Sequence, residues 1–161
     1  MNSALATDLS ALSSMVDDPA LLQLDLPARP QAAGAARKAL GSLNGSMHLV
    51  SEARLRDAEV LVTELVSNAV RYGTPDGGTV SIAVRATPSV LRIEVQDFGT
   101  SFDPGDLAAP SAERGGGWGL RIVAMLAPRW GVRVGPVSTV WFEIDRPQDE
   151  AATEPVQSPP E

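Results

Sequence analysis

The chain of 161 residues has no cysteine, one histidine and one lysine. The missing cysteine excludes disulfides, thiolate zinc sites and a cysteine nucleophile. Aromatic residues make up only 4% of the chain, although aliphatic residues are plentiful enough for one domain with a sizeable core. No apolar run is long enough to span a bilayer, and Met1 to Leu22 lacks the basic start of a signal peptide, so a cytoplasmic protein is expected, with no membrane contact.

A basic footprint is also missing. The formal net charge is −7, yet residues 1–25 and 147–161 each carry four acids and no base. The body between them holds all 13 basic residues against 12 acids and is nearly neutral. That distribution offers no surface for direct nucleic-acid binding. Twelve of the 13 cations are arginine, and Lys38 is the lone lysine.

The acidic, proline-rich "PQDEAATEPVQSPPE" (147–161) has little to bury and is expected to be disordered. Residues 1–20 are expected to be mobile, although the spacing from Leu5 to Met15 is compatible with a short amphipathic helix. Residues 21–146 form the expected domain. "LLQLDLP" (21–27) alternates like a strand. "RPQAAGAARKALGSL" (29–43) reads as a helix with Pro30 near its first turn. "SEARLRDAEVLVTELVSNAVRYG" (51–73) is the strongest helix, with Ser51 as its cap and Gly73 where a C-terminal glycine belongs. "TVSIAVRA" (79–86) and "VLRIEVQD" (90–97) alternate about "TPS" as a hairpin. A helix "WGLRIVAMLAP" and the strands "WGVRVG" and "STVWFEID" close the domain. This order predicts an α+β two-layer sandwich, with helices on one face of a mostly antiparallel sheet.

Three constellations carry candidate chemistry. On the long helix Glu64, Asn68 and Arg71 share one stripe by α-helical spacing. They form either a solvated face continuing through Thr63 and Ser67, or a site. In a site the carboxylate takes a proton, the amide oxygen ligates Mg²⁺ and the guanidinium meets a phosphate. In "LRIEVQDFGTSFD", Asp97 shares its parity with Leu91, Ile93 and Val95 and is therefore aimed inward. It either satisfies the amides of the following turn or accepts from a ligand donor such as an exocyclic amine. Gly99 would let backbone approach that ligand. Finally, "RGGGWGLRIV" (114–123) is glycine-rich backbone opening into a helix. It is either a flexible loop or an anion site at a helix N-terminus.

Several better-known motifs are excluded. No lysine follows the glycine run, so it is not a P-loop. It follows a long polar loop rather than a parallel strand, which argues against a dinucleotide fingerprint. "DFG" (97–99) lacks the "HRD" partner and upstream lysine of eukaryotic-type kinases. His48 is expected near a helix end or loop, without a catalytic role, and no nucleophile elbow supports a Ser-His-Asp hydrolase.

In this order and spacing, "ELVSNAVRYG", "DFGTSFD" and "RGGGWGL" resemble the N box and the two glycine boxes of the GHKL ATPase superfamily. "STVWFEI" is similar to its last-strand Thr-x-aromatic element. The resemblance covers roughly residues 20–146 and implies the Bergerat fold, a two-layer sandwich with a mixed, mostly antiparallel sheet and about three helices on one face. With no transducer domain and no phosphoacceptor helix pair, the chain most resembles stand-alone bacterial anti-sigma-factor serine/threonine kinases. Ser101 fits that branch, in which "D-x-G-x-S-F-D" replaces "D-x-G-x-G".

The resemblance implies ATP and Mg²⁺ as ligands. Glu64 becomes the general base, Asn68 the Mg²⁺ ligand and Arg71 a phosphate contact. Asp97 accepts from the adenine amine, with Thr139 nearby through water, and Gly99 lines the adenine site. Gly115, Gly117, Gly119 and Leu120 form the lid and helix start over the phosphates. Implied partners are an anti-anti-sigma (STAS-type) protein as phosphoacceptor, a sigma factor to be sequestered, and a second copy in a homodimer. Two other functions share these residues: a non-catalytic nucleotide-binding module acting by sequestration, and an orphan histidine-kinase-like catalytic domain.

Overall fold

The computed structural model describes residues 19–75, 77–98 and 118–147, with 118–120 as backbone alone. The expectations for the N-terminal segment and for the acidic tail lie outside these residues. Five strands follow the alternating stretches: β1 (Leu22–Pro27), β2 (Thr79–Ala86), β3 (Val90–Asp97), β4 (Arg129–Arg133) and β5 (Ser138–Asp145). Their order across the sheet is β1-β2-β3-β5-β4, and all four pairings are antiparallel. Three helices join them: α1 (Ala32–Met47), α2 (Glu52–Asn68) and α3 (Trp118–Leu126). The result is an α+β sandwich, as the element order predicts.

Period-two alternation decides which face each strand buries. Val80, Ile82 and Val84 from β2, Leu91, Ile93 and Val95 from β3, and Phe142 and Ile144 from β5 form one apolar layer. Against it pack Leu55, Leu61, Val62, Leu65 and Val66 of α2, Ala36 and Leu40 of α1, and Val123 of α3. The non-polar surface removed from water here is the main driving force for the fold.

The other face of the sheet is built from charge. Asp145, Arg129, Glu143, Arg92, Glu94 and Arg85 alternate in sign across four strands, linked by contacts of 2.6, 2.7, 2.9, 2.8 and 3.4 Å in that order. Arg92 is only 4% exposed and lies 4.0 Å from the ring centroid of Trp141, over the aromatic face. A β-carbon at Gly131 would meet that Trp141 ring at 2.7 Å, so β4 keeps a glycine where the indole lies flat. Hydrogen bonds from Arg129 to Asp145 and Glu143 raise its guanidinium pKa above the ordinary arginine value.

Helix ends show where local chemistry was and was not enough. Ser51 caps α2 as its sequence implies, accepting from the backbone N–H of Arg54 at 3.4 Å. The first helix begins later and runs further than its pattern predicts. It ends when His48 adopts a left-handed conformation, φ 51°, with its N–H donating to Asn44 O at 2.7 Å. The buried Asn44 side chain then pairs with both backbone groups of Val50, at 2.9 and 3.2 Å, and fixes the turn into α2. Arg146 closes the far end by donating through Nε to Leu49 O at 2.8 Å and through Nη1 to Thr87 O.

The predicted helix 51–73 is α-helical only to Asn68. Ala69–Gly73 form a π-helical turn, in which Thr74 N–H donates to Ala69 O at 2.8 Å. Gly73 is therefore not a left-handed cap; among the described glycines positive φ occurs at Gly77. A different contact requires Gly73, as described next.

Candidate functional site

Glu64 and Asn68 stand one turn apart on α2, both half-buried, while the opposite side of that helix enters the core. The wider π turn changes the spacing beyond Asn68, so the stripe expected to include Arg71 ends there. Arg71 is exposed within that turn. π-helical turns of this kind recur at functional sites.

Asp97 is the last residue of β3 and is buried on the helix side of the sheet. Its carboxyl group occupies the space above Gly73. A β-carbon built on Gly73 would lie 2.5 Å from Asp97 Cγ and 2.6 Å from each carboxyl oxygen. The next residue along the chain, Thr74, buries its hydroxyl oxygen without a hydrogen-bond partner. Tyr72 and Phe98, the chain neighbours of Gly73 and Asp97, leave their rings exposed. The end of α2 thus carries a half-buried carboxylate and an amide, and the turn that follows sets Gly73 against the buried Asp97 carboxyl group, next to the unsatisfied hydroxyl of Thr74.

Thr139 is placed differently from the sequence expectation. The β3–β5 register sets Asp97 opposite Ser138, and Thr139 opposite Gln96. Thr139 therefore points to the charged face, where Arg133 Nη2 approaches its hydroxyl at 3.5 Å. The buried hydroxyl beside Asp97 belongs to Ser138. Parity within "STVWFEID" contained this signal, because Ser138 alternates in phase with Val140, Phe142 and Ile144.

Gly119 and Leu120 lie in the first turn of α3, which packs against α2. Gly99, Ser101, Gly115 and Gly117 lie outside the described residues. Among the described residues no group of three or more His, Asp or Glu side chains could hold a metal ion. Asn68 nevertheless offers one hard oxygen donor, which suits Mg²⁺ arriving with phosphates and water as its other ligands.

A family model for the histidine kinase-like ATPase domain matches residues 26–142. The chain belongs to this family. The match spans every described strand and helix apart from the first residues of β1 and the last of β5, so the ATPase domain coincides with the sandwich. Among solved structures, a chain of the SiaB–SiaC complex from Pseudomonas aeruginosa is similar, with a TM-score of 0.54 and 14% identity, over 85% of this chain and 96% of that one. At that identity the likeness concerns the fold. No curated protein matches this histidine kinase-like ATPase at the sequence level. No helix among its described residues is long and apolar enough to cross a membrane.

Proposed function

We propose that the chain is an ATP-dependent protein serine kinase of the anti-sigma type, which phosphorylates a STAS-type partner and, as a homodimer, sequesters a sigma factor. The observation that carries this reading is the buried Asp97 carboxylate at the end of β3, fitted against Gly73 beside the Glu64–Asn68 helix. A buried carboxylate that only accepts hydrogen bonds suits the exocyclic amine of adenine. Family membership supports nucleotide use, and the similar fold was solved as part of a two-protein complex, which suits a chain acting by partner capture.

In this reading Asp97 orients the base and Asn68 presents its amide oxygen toward the phosphates. Mg²⁺ bound there supplies neutralisation of phosphate charge. Glu64 takes the proton from the partner's serine hydroxyl as the Oγ–phosphorus bond forms and the bond to the ADP oxygen breaks. The dianionic phosphoserine then alters docking and releases the partner.

The test is incubation of the full chain with Mg²⁺, γ-labelled ATP and a candidate STAS-type protein. Label on a serine of that protein supports the reading. Bound nucleotide without transfer favours the sequestering module, and label on histidine favours the histidine-kinase-like domain. Failure to bind any adenine nucleotide overturns all three.

A further inference from the structure

Nucleotide recognition through Asp97 requires more than a carboxylate of the right parity, because its oxygens must stand at a fixed height above the helix layer. The structure places a glycine directly against that carboxyl group. All three atoms of the Asp97 carboxyl group lie 2.5–2.6 Å from the point a β-carbon of residue 73 would occupy, whereas ordinary contact begins at 3.4 Å. Close by, a β-carbon on Gly78 would meet the Thr74 methyl at 2.4 Å, so a second glycine lies against this turn. The π turn holds Gly73 in place through the 2.8 Å bond from Thr74 N–H to Ala69 O. Asp97 is in turn fixed by the β3–β5 ladder opposite Ser138.

We propose that Gly73 is the positioning residue for base recognition: the space left by its missing side chain seats the Asp97 carboxylate, and with it the preference for adenine over guanine. This rests on the reading of Asp97 as the acceptor for the adenine amine. Guanine presents a carbonyl oxygen where adenine presents that amine, so a correctly seated carboxylate attracts one base and repels the other. A methyl at residue 73 must displace the carboxyl group by nearly an ångström. Such a shift weakens a charge-assisted hydrogen bond and relaxes the repulsion of guanine together.

The test measures ATP and GTP dissociation constants for the full chain, for Gly73→Ala, Asp97→Ala and the double variant, with circular dichroism as a check of folding. Gly34→Ala, at an exposed α1 position with open space around its β-carbon, is the control. Gly73→Ala is expected to weaken ATP binding roughly tenfold or more, to narrow the ATP-to-GTP ratio, and to have little further effect once Asp97 is alanine. Unchanged affinity and base preference in folded Gly73→Ala would overturn the proposal while leaving the Asp97 reading intact. If Asp97→Ala itself changes neither constant, the reading beneath it fails instead. Should Gly73→Ala not fold, recovery of folding in the double variant supports the contact, and continued failure to fold overturns it.

Discussion

Asp97 and Ser138 face each other across the β3–β5 ladder on the helix side of the sheet, while Thr139 turns to the charged side. The hydroxyl beside the proposed base-binding carboxylate is therefore that of Ser138. Ser138→Ala is expected to weaken ATP binding several-fold, on the order of one hydrogen bond. Thr139→Val, which preserves shape, is expected to leave it within about twofold, because removing a weakly held hydroxyl costs little. Calorimetric titration with ATP distinguishes the two; the opposite ranking would restore the role that resemblance implied for Thr139.

Glu64 stands half-buried one turn before Asn68. If it is the general base, Glu64→Gln retains nucleotide affinity but lowers phosphotransfer about 10²-fold or more. Asn68→Ala instead weakens the Mg²⁺ dependence of binding. Single-turnover transfer, measured alongside nucleotide titration at varied Mg²⁺, separates these effects. Full-rate transfer by Glu64→Gln would remove that residue from the chemistry.

The six-member charge ladder concentrates on Arg92, which bonds Glu94 at 2.8 Å and Glu143 at 2.9 Å while 4% exposed. Arg92→Met leaves Glu143 paired with Arg129 alone and Glu94 with Arg85 alone. The expected destabilisation is about 1–3 kcal/mol, the cost of losing charged hydrogen bonds at buried groups that keep a second partner. Urea unfolding reads it as a lower midpoint with little change in slope. A loss below about 1 kcal/mol would show that Arg129 and Arg85 are enough to hold the two carboxylates.

Asn44 joins α1 to the turn before α2 through two bonds to the Val50 backbone. Asn44→Leu removes both and leaves a buried N–H and carbonyl unpaired, so a loss of about 1–3 kcal/mol is expected. Hydrogen exchange at the Val50 amide is expected to accelerate in step with that loss. Continued protection would mean that another group satisfies the amide.

Local rules made much of this protein legible. The hairpin 79–97 was readable because alternation and a three-residue turn belong to adjacent sequence, and both strands form as their pattern implies. The same alternation aimed Asp97 inward, since a strand's two faces are fixed by parity alone. Ser51 announced the start of α2 through its own side chain. The extension of α1 to Met47 was less visible, because its stop depends on a left-handed His48 and on Asn44 reaching Val50.

What the sequence by itself determined was therefore the set of elements, their buried faces and the chain order of the candidate boxes. Only the tertiary structure decided which residues meet. Gly73 and Asp97 are 24 positions apart, and their contact arises when the π turn after α2 packs over the end of β3. The choice of Ser138 over Thr139 follows from a strand register set more than 40 residues from its partner. Periodicity acts within a few residues, but close packing and register compare distant segments, and at Gly73 they turn an apparent helix-ending glycine into the seat of a carboxylate.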